Sequence, residues 1–268
     1  MKRLVLKLGG ELLEQPADLQ RVAAGIAKLG ARSSLVVVHG GGREIDAALA
    51  AAGIPKQQVD GLRVTDAPTL DVVVAVLAGA INTRLVAALR KAGARAVGLT
   101  GADASVATVR RTAPITSVAG ARVDLGLVGS PINNGAPRLL TDLLARGYIP
   151  VVACIGATRE GQLLNVNADT LASHLAGALR ASRLVIAGGT SGVLDEQGRT
   201  IARLTARDAA KLIKAGTANK GMVAKLEACR AAVRKGVSDV LIANGRDVRF
   251  EVFAAAKGPL QGCTQVVR

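Results

Sequence analysis

Short apolar runs alternate along this chain with longer stretches in which apolar residues recur every three or four positions. "RLVLKL" at residues 3–8 is a β-rich run ending at Gly9 and Gly10. In "DLQRVAAGIAKLG", Leu19, Val22, Ile26 and Leu29 fall at helical spacing, with Gly30 as a stop. "SLVVVHGGG" predicts a strand then a loop, and "REIDAALAAAG" a helix closing on Gly53. A loop leads to a long apolar helix beginning near Thr69, and "RAVGLTG" is the next strand. Further on, "YIPVVACIG", "RLVIAGG" and "SDVLIANG" predict strands; "ADTLASHLAGALRAS", "ARDAAKLIKAG" and "MVAKLEACRAAVRKG" predict helices. Residues 104–137 break into short β-like pieces between Gly and Pro, expected as hairpins added at one edge. The alternation predicts an α/β chain: a three-layer αβα sandwich around one mostly parallel open sheet. It is expected as one continuous domain with an N-terminal lobe, 1–180, and a C-terminal lobe, 181–268.

Composition refines this picture. Half of the 268 residues are hydrophobic, yet there are only one Tyr, two Phe and no Trp. The core must therefore be built from small aliphatics, which suits helices laid on a parallel sheet. The most apolar span, from Leu70, is interrupted by Asn82, Thr83 and Arg84, so a buried helix is expected rather than a membrane span. The first apolar run is too short for a signal peptide and contains Lys7, which points to the cytoplasm. Cys154, Cys229 and Cys263 are widely spaced, and His39 and His174 are the only histidines, so no protein metal site is expected.

The formal net charge is +15. Nine basic residues against Asp208 and Glu227 give the stretch 203–235 a net +7. The near absence of stacking aromatics argues against nucleic acid as the partner. A polyanionic small molecule such as a nucleotide fits the excess better, and a plain solvated surface is the alternative.

Ligands of open α/β sheets bind beyond the carboxyl ends of strands. Four such ends are marked by glycine: "KLGG", "VHGGG", "GLTG" and "AGGTSG". Neither the GxxxxGK[ST] nor the GxGxxG pattern occurs, so bound phosphates would need another nest of backbone N–H groups. Lys7 ends an apolar strand immediately before two glycines; Lys225 opens a helix after a glycine turn. Asn165, Asn167 and Asp169 cluster before a helix, and Arg63 in "GLRVTD" could take a carboxylate bidentately. Each has a plainer reading. Either lysine can simply reach solvent, Arg63 can lie on the surface, and Asn167 or Asp169 can do no more than cap the helix.

As a set, "KLGG", "VVVHGGG", "GLRVTD", "AVGLTG", "GYIPVVACIG", "GQLLNVNADT", "GVLD" and "GMVAKLEA" occur in the order and spacing of the amino acid kinase family. The chain resembles that family from about Lys2 to the final "GCTQVV", and within it the N-acetylglutamate kinases. The resemblance implies the amino acid kinase fold, ATP with Mg²⁺, and phosphorylation of the side-chain carboxylate of N-acetyl-L-glutamate in arginine biosynthesis. It places Lys7 and Lys225 on opposite sides of the transferring phosphoryl group, with Asp169 organising both. Gly41, Gly42, Arg63 and Asn165 would bind the acylglutamate. Gly9, Gly10, Gly189, Thr190, Ser191, Gly192, Val193, Leu194, Thr217, Ala218 and Asn219 would bind ATP, Gly9 and Gly10 through their N–H groups. A carboxylate nucleophile needs no general base, so His39 is expected to be a wall residue. Because the chain begins at its first strand, the resemblance further implies a homodimer of the arginine-insensitive type. Two departures stand out: Gly189 occupies a position where the family usually has aspartate, and the chain ends in "GCT" where "GT" is usual. The nearest rivals are a sister kinase acting on aminoadipate or glutamate carried by a small acidic protein, and a basic nucleic-acid-binding regulator on the same fold.

Overall fold

The computed structural model describes residues 2–117, 120–216, 220–247, 249–255 and 260–268. The chain opens with β1 (Arg3–Leu8), α1 (Pro16–Gly30), β2 (Ser34–His39) and α2 (Gly42–Ala51). A small hairpin follows, β3 (Gln58–Val59) with β4 (Leu62–Arg63). α3 (Ala67–Val74) then runs through a π-helical stretch, Ala75–Ile81, into α4 (Asn82–Lys91), followed by β5 (Ala96–Thr100). The middle of the chain holds β6 (Val109–Arg111), β7 (Ile115–Thr116), β8 (Arg122–Val123), β9 (Val128–Pro131), α5 (Arg138–Ala145), β10 (Ile149–Ala153), β11 (Ile155–Ala157) and β12 (Leu163–Val166). The last third holds α6 (Ala168–Ala178), β13 (Arg183–Gly188), β14 (Arg203–Thr205), α7 (Ala206–Lys214), α8 (Lys220–Arg234), β15 (Asp239–Asn244), α9 (Val252–Ala255) and β16 (Cys263–Val267).

One eight-stranded sheet, in the order β14-β16-β15-β13-β1-β2-β10-β5, forms the centre. It is parallel from β15 to β5; β16 runs antiparallel to β15 and takes β14 with it. β10 and β13 are buried throughout, and β1 and β2 at every position but the first, which explains their unbroken Leu/Val/Ile runs: both faces are covered by helices. α1 packs with α4 and α6 with α8. The sheet runs without a break through both expected lobes, since β13, just past residue 180, lies directly against β1.

Two expectations need correction. The pieces between 104 and 137 do not extend the edge of the main sheet. β6 and β9 join β11 and β12 in a separate four-stranded sheet, ordered β11-β12-β9-β6, and β7 pairs with β8 in a two-stranded piece of its own among the described residues. Composition marked where these strands break, not which sheet they join. The chain leaves the main sheet at Cys154, whose thiol donates to the His39 carbonyl at 2.7 Å, and this turn starts the second sheet.

The second correction concerns the long helix, which is buried on one side only. Leu70, Val73, Leu77, Ile81, Leu85 and Leu89 enter the core, whereas Val72, Val74, Ala78 and Val86 are half-buried. Among the described residues one helix, Ala67–Lys91, is long and apolar enough to cross a membrane, and this is the helix whose inner face helps build the core.

Candidate active site

The carboxyl ends of β1, β2 and β13 lie side by side, since Lys7 is in register with Val38 and with Ile186. Lys7 is buried, and its Nζ lies 2.9 Å from Asp169 Oδ1 at the first turn of α6. Burial alone would lower the Lys7 pKa, but the Asp169 carboxylate, with a smaller contribution from Glu11, outweighs it and the net shift is upward. This short contact holds the ammonium charged at the end of β1. Capping of α6 falls to Asn167, whose Oδ1 accepts from the N–H groups of Asp169 and Thr170 at 3.0 Å each. Asp169 is thereby left for Lys7.

The glycines divide by role. A Cβ on Gly10 would stand 2.8 Å from the Gly41 Cα, so the loops after β1 and β2 touch backbone to backbone. A Cβ on Gly41 would stand 2.1 Å from Ile81 Cδ1, so glycine there is a packing requirement of the π-helical stretch before it is anything else. The Gly9 N–H is committed to the Ala187 carbonyl at 2.8 Å and the Gly40 N–H to that of Leu8 at 3.1 Å. Gly9 therefore cannot offer its N–H to a phosphoryl group as expected. The N–H groups of Gly10, Gly41 and Gly42 have no partner among the described residues.

Beyond them lies a cavity of about 190 Å³ lined by Gly41, Gly42, Arg63, Leu77, Cys154 and Asn165, among others. Arg63 is 9% exposed. Its Nη2 donates to Asp46 and to the Gly42 carbonyl, while Nη1 is buried without a hydrogen-bond partner. Burial would raise the Asp46 pKa, but Lys56 and Arg63 bonded to it hold it below the usual carboxylate value. Asn165 is held by Thr65 Oγ1 at 3.1 Å. Cys154 is inert here: burial pushes its thiol up to about 12.

On the other side of Lys7 the sites are looser. Lys225 bonds the Gly221 carbonyl of its own helix at 3.3 Å rather than Asp169, so Asp169 does not organise both lysines directly in this geometry. The Lys225 stem passes over the end of β13: a Cβ on Gly188 would stand 3.6 Å from its Cε. The Gly189 N–H donates to Glu11 Oε1 at 2.9 Å. Gly192 has φ +84° and is crowded by Thr264, whose Oγ1 accepts from the buried Val193 N–H at 2.7 Å. Thr200 donates to the Ser191 carbonyl, and Leu194 is 52% exposed. This loop is thus fixed from behind by β16 with its outer edge open. Thr217, Ala218 and Asn219 lie outside the described residues.

His39 is fully buried, consistent with a wall residue. One assignment satisfies both ring nitrogens: Nδ1–H donates to the Gly40 carbonyl at 3.3 Å and Nε2 accepts from Asn82 Nδ2 at 3.0 Å. Asn82 also donates to the Val151 carbonyl at 3.0 Å, pinning the long helix to the sheet. Burial holds the His39 pKa at about 4, below the ordinary 6.5. The unfolded chain then binds the extra proton between pH 6.5 and 4, so this contribution to stability is complete above pH 6.5 and is lost as pH falls toward 4. We expect an acid-side loss on the order of 3 kcal/mol from this group, read as a drop in the urea midpoint from pH 7 to 4.5 that shrinks in His39→Gln.

The sequence profile of the amino acid kinase family matches residues 2–244. The chain belongs to the amino acid kinase family. Its relatives include the acetylglutamate kinases of Methanopyrus kandleri (42% identical; 90% of this chain, 94% of the relative), Bradyrhizobium diazoefficiens (40%; 91% and 84%) and Solibacter usitatus (41%; 97% and 94%). Among solved structures, N-acetylglutamate synthase from Neisseria gonorrhoeae with coenzyme A and N-acetyl-glutamate superposes with a TM-score of 0.82 at 26% identity, covering all of this chain and 59% of that one. Giardia lamblia carbamate kinase with AMP-PNP (TM-score 0.70, 16% identity, 100% and 98% covered) shares the fold. For an amino acid kinase, this chain holds two acidic residues at the site that sequence reasoning missed, Glu11 and Asp46. A glutamate just after a glycine turn and an aspartate within a helix both look like solvated positions. Only the fold shows them against Gly189 and Arg63.

Proposed function

We propose that this amino acid kinase transfers the γ-phosphoryl group of ATP to the side-chain carboxylate of N-acetyl-L-glutamate, giving N-acetyl-L-glutamyl 5-phosphate for arginine biosynthesis. The observation that carries the reading is the buried Lys7–Asp169 pair beside a cavity holding a buried, half-used arginine and bare backbone N–H groups. Relatives named acetylglutamate kinase at about 40% identity over most of the chain support it.

The chemistry follows from charge. One carboxylate oxygen attacks the γ-phosphorus, a new O–P bond forms, and the bond to the bridging oxygen breaks with its electrons leaving on ADP. No proton is moved, in keeping with a neutral, occupied His39. The obstacle is bringing two anions together, so positioning and electrostatics dominate. Arg63 Nη1 and Asn165 hold the α-carboxylate and acylamino end, while the Gly41 and Gly42 N–H groups steady the attacking carboxylate. Lys7, kept charged by Asp169, stabilises the transferring group; Gly10 N–H adds to it, and Lys225 approaches from the β13 side. The nucleotide lies along the open edge of 189–194. Mg²⁺ bound with ATP neutralises phosphate charge. Such a cation would be held mostly by phosphate oxygens and waters, the usual donors for Mg²⁺.

An ATP-dependent hydroxamate assay tests this. N-acetyl-L-glutamate is expected to react; free glutamate, lacking the acyl group, is not. N-succinylglutamate and an acidic carrier-linked substrate complete the comparison, the latter because a +15 surface would steer an acidic carrier. Failure with every acylglutamate defeats the reading, and preference for the carrier replaces it. Both substrates belong to the cytoplasm. We also take one half-buried side of the long helix as a homodimer face: Val74, Ala78 and Val86 are more apolar than a free surface needs. Sedimentation should give twice the 27.2 kDa chain mass, and a monomer at micromolar concentration rejects that face.

A further inference from the structure

Glu11 has no place in the mechanism above, yet the site is built around its carboxylate. Its Oε1 accepts the Gly189 N–H at 2.9 Å, and Oε2 has no hydrogen-bond partner among the described residues. Three glycines surround it. A Cβ on Gly9 would stand 2.3 Å from Oε2, one on Gly188 3.0 Å from Oε1, and one on Gly189 3.7 Å from Cγ. The negative charge is felt at Lys7, where it helps to raise the pKa, and the Lys225 stem borders the same Gly188. A half-buried carboxylate thus stands between the two lysines, at the ends of β1 and β13, where the proposed reaction puts a triphosphate.

Two like charges in close approach repel strongly even at the effective dielectric of a protein surface. A carboxylate and a phosphate chain can share this space only with a cation between them. Lys7 and Lys225 are assigned above to the transferring phosphoryl group, and Arg246 donates to the Glu11 carbonyl, not to its carboxylate. We therefore assign the screening of the Glu11 carboxylate to the cation that ATP brings. A single hard carboxylate oxygen added to phosphate and water ligands is an ordinary donor set for Mg²⁺.

We infer that Glu11 is the protein's own ligand for the nucleotide's Mg²⁺, direct or through one water, and so fixes where the metal sits relative to Lys7 and Lys225. The Gly189 N–H holds Oε1 and leaves Oε2 for the metal; Gly188 and Gly189, lacking side chains, leave room for it. Glu11 is a positioning residue, acting on the phosphates through the cation.

This inference rests on the kinase reading, and its test separates the two. Mn²⁺ binding to the enzyme–ADP complex is followed by electron paramagnetic resonance, for the native protein, Glu11→Gln and Glu11→Asp. Glutamine keeps an acceptor for Gly189, so the loop is retained while the charge is lost. We expect Mn²⁺ affinity in the ternary complex to fall about 10-fold or more in Glu11→Gln, the loss typical when a supporting group of a metal site is removed. The melting temperature and the KM for N-acetylglutamate should not change. Glu11→Asp, with its carboxylate drawn back, should fall between, and supplies the comparison if the glutamine variant does not fold. Equal Mn²⁺ affinity in all three overturns the inference. So does tighter metal-free ADP binding in Glu11→Gln with Mn²⁺ unaffected, which would make Glu11 a charge that phosphate displaces. If the native protein binds no Mn²⁺–ADP at all, the kinase reading fails first.

Discussion

Replacing Lys7 by methionine is expected to lower kcat by at least about 10²–10³-fold, the loss seen when one donor to a transition-state anion is removed. Methionine preserves the bulk of the stem at the end of β1 and deletes only the charge. The same change leaves Asp169 buried beside an apolar side chain. Breaking one side of such a pair typically costs about 3–5 kcal/mol, so the variant should also melt earlier. The two effects can be pulled apart. Lys7→Met with Asp169→Asn removes both charges and should recover much of the stability while remaining inactive. Activity is read as ADP release at saturating substrates and stability as the urea midpoint. A single variant that keeps a tenth of its native kcat would show that the phosphoryl charge is met elsewhere.

The second large effect belongs to the acylglutamate side. Arg63→Ala removes the buried Nη1 donor from the cavity, and a hydrogen bond to a charged group is worth about 1.5–3 kcal/mol. The KM for N-acetylglutamate should rise about 10- to 100-fold, with the KM for ATP unchanged. Asp46→Asn should act in the same direction and less strongly. It leaves Arg63 in place but weakens what aims it, since Asp46 is bonded to both Arg63 and Lys56. An Arg63→Ala enzyme with unaltered KM would move the substrate out of this cavity.

Much of the fold was legible because doubly covered parallel strands leave an unmistakable trace: "LVVV", "PVVA" and "RLVIAG" have no solvent face to alternate with. What escaped was what lacks that constraint. β14 is a three-residue edge strand, β16 reverses direction against β15, and the second sheet joins the local β11–β12 hairpin to β9 and β6, which precede α5 and β10 in the chain. Of the candidate residues, Lys7 and Asp169 proved to be a pair and Arg63 and Asn165 neighbours across one cavity, because each sits at an element end that the sheet order brings together. The N–H groups were less legible. Gly9 and Gly10 look alike in sequence, yet one continues the ladder to Ala187 and the other does not. "HGGG" likewise suggests a ligand pressed against backbone. For Gly41 the side chain of Ile81 already accounts for the glycine, and Gly42 has open space where a Cβ would stand.

The contact between Gly10 and Gly41 governs what can change in this enzyme. On the proposed reading, two loops that abut main chain on main chain would set the separation of phosphoryl donor and acceptor with no rotamer between them, so the enzyme would measure its reactants with a fixed ruler. Evolution or design can therefore alter the acyl group it accepts at the far wall, among Arg63, Asn165 and their neighbours, without recalibrating the step itself. Substitutions at the two glycines would lengthen the ruler, and no repacking elsewhere could shorten it again.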